Sequence, residues 1–409
     1  MTHTIGIIGG GAAGIVAAMM AKLENPTVSV TLFDKNPGLG SKVIISGGGR
    51  CNLTTGYTDI EEMLKNYPRG ERFLKNAMYA FGPAEVYEWF ESQGVPLKIE
   101  KDMRVFPVSN DGKDIVGVFE QFFSTKGVDV KCGIDIRAVS EVGEKFILTD
   151  ALGEEFEFDK LIVTTGGQAY RHTGSTGDGY AFAESLGHKI TELGPSLNSF
   201  VLGETLNLAG VSLANVTMKT TLKDGKKVSY SGPFVWTHKG ISGPVAFAMS
   251  AFSTFEECTK ENPIKLSVDF VPTLSLPELE KHAFNFIEKN PKAQFYKMFH
   301  EFMPKSVLFA LLEDAKKPCN ETSHAVVRKT VEKLKAFPLT VIGRGQGSEF
   351  VTAGGVDTAE INPKTMESKI CPGLYFAGEV MNIDGFTGGY NLQASWATGR
   401  LAGISAAHA

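Results

Sequence analysis

Three glycines spaced Gly9-x-Gly11-x-x-Gly14, followed twenty positions later by Asp34, are the residues of this chain best suited to holding a dinucleotide. Gly9 permits a tight turn, Gly11 lets a pyrophosphate approach bare backbone, and Gly14 lets the helix pack close to the strand before it. Ala12 and Ala13 complete the turn, and the free amides where the helix begins face a doubly negative group. Asp34 can take both hydroxyls of an adenosine ribose, which argues for a free 2′-hydroxyl; the adjacent Lys35 pulls the other way. A glycine-rich turn alone would mean little. Here Thr4-Ile5-Gly6-Ile7-Ile8 reads as a strand before it, residues 15–23 as a helix after it, and Val28-Ser29-Val30-Thr31-Leu32-Phe33 as a second strand ending at Asp34.

Three more small-residue clusters offer similar chemistry. Ser46-Gly47-Gly48-Gly49-Arg50-Cys51-Asn52, with Lys42 just ahead of it, bares successive amides that can lie against a flat or anionic ligand. Lys160-Leu161-Ile162-Val163-Thr164-Thr165-Gly166-Gly167 reads as the return strand of the nucleotide domain, ending in a turn that allows close backbone approach. Leu374-Tyr375-Phe376-Ala377 reads as a strand running into Gly378-Glu379, expected to rejoin the sheet beside the first strand. The loop Asp384-Gly385-Phe386-Thr387-Gly388-Gly389-Tyr390 then lays Asn391-Leu392-Gln393 at the start of a small-residue helix reaching position 407.

The pairing of the first glycine motif with residues 46–52 resembles the BaiN-type (aminoacetone oxidase-like) FAD-dependent oxidoreductases. The likeness continues through Thr173-Gly174-Ser175-Thr176-Gly177-Asp178-Gly179-Tyr180, Thr237-His238-Lys239-Gly240-Ile241-Ser242-Gly243-Pro244 and the C-terminal loop. The resemblance implies FAD, with its ADP half on Gly9, Gly11, Ala13, Gly14, Asp34 and Lys35, and with Ile136 passing the adenine. Lys42, Ser46, Gly47, Gly48, Gly49, Arg50, Cys51 and Asn52 would run along the cofactor towards the flavin, together with Thr165, Gly166 and Gly167. Gly378 and Glu379 would lie by the ribityl or diphosphate region, and Gly389, Asn391 and Leu392 at the ring. There the helix start would stabilise negative charge at flavin N1 and O2, which appears only on reduction.

These residues need elements to hold them. The chain has 409 residues, 43% hydrophobic and 21% charged, with a net charge of −5, so nothing global points to nucleic acid or an anionic membrane. Residues 5–21 carry no charge, but no basic stretch precedes them as in a signal peptide, and a cytoplasmic protein is expected. Cys51, Cys132, Cys258, Cys319 and Cys371 are odd in number and widely spread, so free thiols are expected, with neither a disulfide framework nor a metal site.

Residues 57–94 and 115–123 read as helical, 104–107 as extended, and 128–131, 134–142, 145–149 and 154–158 as a meander covering one face of the sheet. Past Gly194 the pattern turns strand-like to position 270, with a hairpin at Lys223-Asp224-Gly225-Lys226, and then helical over 276–335. Positions 278–335 hold 11 Lys or Arg against 8 Asp or Glu, which keeps an RNA partner open. Ser242 is placed to cap a helix over 244–252, and His238 is the candidate catalytic group.

The expected fold is α/β: a Rossmann-like FAD-binding domain (1–194 and 345–409) with a β-barrel-like insert (195–273 and 337–344) and an α-helical subdomain (274–336). The expected function is FAD-dependent oxidoreduction, with a small-molecule substrate in the cleft between insert and FAD domain exchanging hydride with flavin N5. Either an amine donates and O2 takes the electrons, or NAD(P)H reduces the flavin, which then saturates an activated C=C bond. No second G-x-G-x-x-G is present, so any nicotinamide would visit transiently. Reduction of a base in structured RNA, or flavin binding without turnover, are the readings from other classes.

Overall fold

In the computed structural model, which describes residues 3–345 and 349–408, the apolar run Thr4–Ile8 is the middle strand of a five-stranded parallel sheet. Its neighbours are Lys160–Val163 on one side (Ile5 opposite Lys160, Ile8 opposite Val163) and Ser29–Asp34 on the other (Thr4 opposite Ser29, Ile8 opposite Phe33). Ile5 and Ile7 on one face and Gly6 and Ile8 on the other are all buried, as a strand covered on both faces requires. Leu374–Phe376 forms one edge and Asp129–Cys132 the other.

Two expectations are corrected here. Leu374–Phe376 rejoins the sheet beside Lys160–Val163 and not beside the first strand, whose two sides are already taken. Asp129–Cys132 is an edge strand of the parallel sheet, pairing with Ser29–Asp34, and not the first strand of the meander. The meander proper is Ile136–Val142, Lys145–Asp150 and Glu155–Phe158. It covers the sheet through Phe156 and Phe158, whose rings lie 5.0 and 5.8 Å from that of Phe33. Gly6 makes room for it, since a Cβ there would come within 2.6 Å of the Phe158 ring.

The helix Ala12–Glu24 crosses the sheet against the C-terminal helix Tyr390–His408. Small residues set the spacing: a Cβ on Gly399 would sit 2.3 Å from the Ala13 carbonyl oxygen, and one on Gly403 2.3 Å from that of Ala17. Trp396 carries the contact outward, stacking on Phe119 of Lys113–Lys126 and meeting Phe90 of Pro83–Ser92 edge-on. Both ends of the chain are thereby bound into one body, made of Met1–Pro195 and Phe350–Ala409.

The second compact unit, Ser196–Glu349, is built on a closed six-stranded barrel. Around it run Phe200–Leu202, Gly240–Ser242, Lys227–Trp236, Ser212–Thr221, Ile264–Asp269 and Phe337–Arg344. Gly225, at φ +84°, turns the hairpin between the two longest strands. The helices Leu276–Lys289 and His324–Lys335 share one hydrophobic core with the barrel, joining Val327, Val331 and Leu334 to Leu266, Val268 and Phe270. A partly buried ion pair between Lys335 and Asp269 (2.6 Å) ties the two. The helix Pro244–Phe252 forms as expected, but its N-cap is Gly243 at φ +96° with no side-chain bond; Ser242 remains in the strand Gly240–Ser242 and caps nothing.

Candidate active site

Each glycine of the first motif has a different neighbourhood. Gly9 turns the chain at φ +106°, with no room for a side chain because Thr164's carbonyl oxygen would lie 2.5 Å from its Cβ. Gly14 is closer still, 1.9 Å from Gly9's carbonyl oxygen, so the helix is pressed onto the strand's end. A Cβ on Gly11 would meet nothing within 4 Å, and its φ of −78° suits any residue. Steric need inside the protein therefore explains Gly9 and Gly14 but not Gly11, which fits a ligand's approach. No side chain caps the helix Ala12–Glu24, leaving the amide end of its dipole for an anion.

Asp34 closes the second strand, where it accepts hydrogen bonds from the amides of Gly10 (2.8 Å) and Asn36 (2.7 Å). Burial raises its carboxyl above the ordinary aspartate value, against those two amide bonds. The carboxylate thus shapes the glycine turn and retains lone pairs for a ribose. Lys35 points elsewhere, to Thr176 and to Asp178 (2.5 Å), binding the strand end to the loop before Asp178–Ser185. Ile136 is buried at the start of its strand, just past Ile134, whose amide donates to the Asp34 carbonyl (3.1 Å).

In the second cluster, Gly47, Gly48, Gly49 and Cys51 all have positive φ, so the chain coils back through residues 46–52. The Ser46 hydroxyl accepts from the Asn52 amide (3.2 Å), and the Ser46 carbonyl from that of Cys51 (2.9 Å). Arg50 lies over the Phe106 ring at 3.9 Å and pairs with Glu100 at 2.7 Å, so it flanks the loop as a fixed cation. Cys51 is fully buried and its thiol is pushed up to about 12 by that burial, which makes it a packing residue and not a nucleophile. Gly48 and Gly49, like Gly11, have open space where a Cβ would stand.

Gly166, Gly167 and Gly378 follow strands that run parallel to the first, so they lie beyond the same carboxyl edge of the sheet as Gly9. Gly378, at φ +76°, would place a Cβ 3.0 Å from that of Ala13, and its amide donates to Thr398 (3.0 Å). Glu379 pairs with Lys42 (2.8 Å) and accepts from the Thr352 amide (2.9 Å). Gly167 sits against both Thr352 and Glu379, and Gly166 against Ser175. Gly389 is packed on the Thr54 carbonyl oxygen, 2.2 Å from where its Cβ would be. Asn391 spends its side chain on its own loop, exchanging 2.8 Å bonds with the Gly385 amide and carbonyl; beside it Leu392 is half-buried.

The sequence motifs omitted several residues that join these parts. Thr164 donates to the Gly9 carbonyl (2.7 Å), and Thr352 accepts from the amides of Gln168 and Ala169. Thr54 bonds Gln393 at 2.6 Å, and the Trp396 indole donates to the Leu53 carbonyl at 2.9 Å, coupling the two residues that follow the 46–52 loop to the C-terminal helix. A threonine gives no sequence signal of such a role. Two buried atoms, Asn52 Oδ1 and Thr165 Oγ1, have no hydrogen-bond partner among the described residues. Such atoms are costly unless a ligand or water satisfies them, so their presence, with the open faces of Gly11, Gly48 and Gly49, fits a bound polar cofactor.

His238 belongs to the second unit. It is exposed on the turn between Lys227–Trp236 and Gly240–Ser242, a turn held by the Thr237 amide donating to the Gly240 carbonyl at 2.8 Å. All five cysteines are free. Among the described residues no cluster of metal-ligating side chains occurs, and no helix is long and apolar enough to cross a membrane.

A parallel sheet with a glycine turn at its centre, joined to a barrel-bearing second unit, is the build of FAD-dependent oxidoreductases. Residues 3–405 match the HI0933-like protein Rossmann domain, and the chain belongs to that family. It is 32% identical to the 3-dehydro-bile acid delta(4,6)-reductase of Clostridium scindens, over 99% of both chains. It is 28% identical to the ribosomal RNA dihydrouridine synthase of Haemophilus influenzae, over 98% of this chain and 97% of that one. Among solved structures, 3-ketosteroid-delta4-(5alpha)-dehydrogenase from Rhodococcus jostii shares the fold, with a TM-score of 0.52 at 14% identity over 99% of this chain and 97% of that one. The protein is a flavoprotein oxidoreductase with FAD as its cofactor.

Proposed function

We propose that the protein saturates a carbon–carbon double bond conjugated to a carbonyl in a small molecule, drawing electrons from NAD(P)H. The end-to-end 32% identity to a bile acid reductase carries this reading. That relative is by name a delta(4,6)-reductase of a 3-dehydro-bile acid, and making dihydrouridine likewise means saturating a C=C bond beside a carbonyl. FAD, when bound, supplies hydride exchange at its N5. The chain's own part is placement. Gly9, Gly11, Ala13 and Gly14 receive the diphosphate on the helix amides, and Asp34 takes the adenosine ribose.

In the same reading Lys42 and Glu379 line the ribityl region, as one ion pair. Residues 46–52, residues 165–167 and the start of Tyr390–His408 flank the rest of the cofactor. The amides of that helix start hold negative charge that arises on reduction. Saturation also consumes a proton, and His238, exposed on its turn, is the candidate donor. Five free thiols suit a reducing cytoplasmic setting.

The test is an anaerobic two-stage experiment. The FAD-loaded protein is reduced with NADH or NADPH and then mixed with 3-oxo steroids carrying a conjugated double bond, with absorbance of the flavin band as readout. Reoxidation with release of the saturated product is expected; no reoxidation by any conjugated carbonyl compound would overturn the proposal. His238→Gln should slow reoxidation while leaving reduction by NAD(P)H untouched. A base in ribosomal RNA is the second reading, favoured by the 28% relative and by the basic excess over positions 278–335. It predicts reoxidation by ribosomal RNA and binding that weakens steeply with salt. Reduction by an amine, with O2 as acceptor, would instead support the oxidase route.

A further inference from the structure

Residues 66–70, Asn66-Tyr67-Pro68-Arg69-Gly70, belong to none of the glycine motifs, yet they grip the C-terminal glycine loop along its length. Arg69 forms a two-pronged ion pair with Asp384, whose side chain is fully buried at the loop's beginning. The Asp384 amide donates to the Arg69 carbonyl (3.3 Å), and the Phe386 amide to the Asn66 carbonyl (2.9 Å). Tyr67, also buried, donates its hydroxyl to the Tyr390 carbonyl (2.7 Å), and the two tyrosine rings meet edge-on at 5.9 Å. Packing closes the remaining gaps: a Cβ on Gly70 would lie 2.5 Å from Ile383, and one on Gly385 3.0 Å from the Tyr67 ring.

The loop so held contains Gly385, Gly388 and Gly389, the last two at φ +133° and +91°. Glycine gives a backbone more freedom than any other residue, so a loop of this composition does not hold its amides in one direction by itself. From inside, Asn391 braces it at Gly385; from outside, residues 66–70 fix its first residue, its middle and the opening turn of Tyr390–His408. The buried charge of Asp384 makes the outer brace directional, because a carboxylate in that position demands its guanidinium partner in one geometry.

We propose that Tyr67 and Arg69 are positioning residues that set the reduction potential of the flavin by aiming the loop and helix start at its ring. This deepens the reading above and rests on it, in that the start of Tyr390–His408 is taken to face the ring. Preorganised dipoles stabilise charge only while they stay aimed. Loosening them should destabilise the reduced, negatively charged flavin more than the oxidised one. The ADP half is held by a different part of the chain, the turn at Gly9 to Gly14 and Asp34, so cofactor affinity should move far less than potential.

The experiment compares the FAD-loaded wild type with Tyr67→Phe, which removes one hydroxyl, and Arg69→Lys, which keeps the charge but not the fork. Midpoint potentials are measured by dye equilibration, and FAD dissociation constants by fluorescence. Both variants are expected to shift the oxidised/reduced equilibrium three- to tenfold towards oxidised, with FAD affinity changed less than threefold; tenfold is about 30 mV for a two-electron couple. Asn391→Ala serves as the reference for the reading itself, because it loosens the same loop from within. If it shifts the potential while folded Tyr67→Phe and Arg69→Lys do not, the positioning role is wrong and the placement of the loop stands. If none of the three shifts it, the loop does not face the ring. Should Arg69→Lys fail to fold, an unchanged potential in Tyr67→Phe beside a shifted Asn391→Ala would overturn the role alone.

Discussion

Gly11 and Gly14 stand three residues apart and should fail in opposite ways. Gly14→Ala drives a methyl to 1.9 Å from a backbone oxygen that cannot retreat, so it should destabilise the protein by about 1–3 kcal/mol with or without FAD. Gly11→Ala meets nothing within 4 Å and keeps an ordinary φ, so the apo-protein should melt as the wild type does. Its cost should fall on the cofactor, because lost hydrogen bonds to a charged diphosphate are worth about 1.5–3 kcal/mol, roughly ten- to a hundredfold in affinity. Thermal melts of both apo-proteins and FAD titrations check the contrast; a Gly11→Ala that binds FAD normally would remove the diphosphate from that turn. The spacing of these glycines was readable in the sequence because adjacent residues fix the geometry of a turn. The work of Thr164, Thr352 and Arg69 was not, since Arg69 meets its partner 315 positions away and its residue type does not announce it.

At the scale of elements, the helix pair Ala12–Glu24 and Tyr390–His408 links the cofactor turn to the end of the chain. Gly403→Ala would press a methyl to 2.3 Å from the Ala17 carbonyl oxygen and force the helices apart. It should lower stability by about 1–3 kcal/mol and weaken FAD binding, although position 403 lies more than three turns from the glycine loop. Unchanged FAD affinity in a destabilised Gly403→Ala would show that the helix contact does not transmit to the site. The sequence showed this helix as small-residue, but its partner was beyond reach. Leu374–Phe376 was similarly misplaced, because three buried apolar residues suit any parallel neighbour and only the occupancy of the sheet decides.

A second element-scale prediction concerns His188, which lies just after Asp178–Ser185 and joins it to the turns near Glu360 and Ser368. Its ring nitrogens meet the Glu360 carboxylate at 3.0 Å and the Ser368 hydroxyl at 2.8 Å. Burial pushes the imidazole below its ordinary value of 6.5, with Glu360 opposing. Below 6.5 the unfolded chain therefore binds a proton that the folded one resists, so stability present above that pH is lost as pH falls towards the depressed value. Melting temperature should fall with acid more steeply in the wild type than in His188→Gln across that window, as calorimetry from pH 7.5 to 5 would show. Parallel curves would mean that His188 titrates alike in both states.

For the whole molecule, the division of labour between the units makes the sharpest prediction. Every residue proposed to hold FAD lies in Met1–Pro195 or Phe350–Ala409, while Ser196–Glu349 closes its own core, from Phe200 and Trp236 in the barrel to Leu334 in its helices. A ligand stabilises what it binds by mass action, about 2.7 kcal/mol at a hundredfold excess over its dissociation constant, and stabilises nothing that unfolds separately. Two self-sufficient cores need not melt together. Calorimetry is therefore expected to resolve two transitions, with added FAD raising one and leaving the other in place. The Gly11→Ala variant should show the same two transitions with the FAD-dependent shift reduced. A single transition that moves as a whole with FAD would make the barrel unit part of the cofactor's folding unit, and would require some of its residues to be added to those assigned to holding the cofactor.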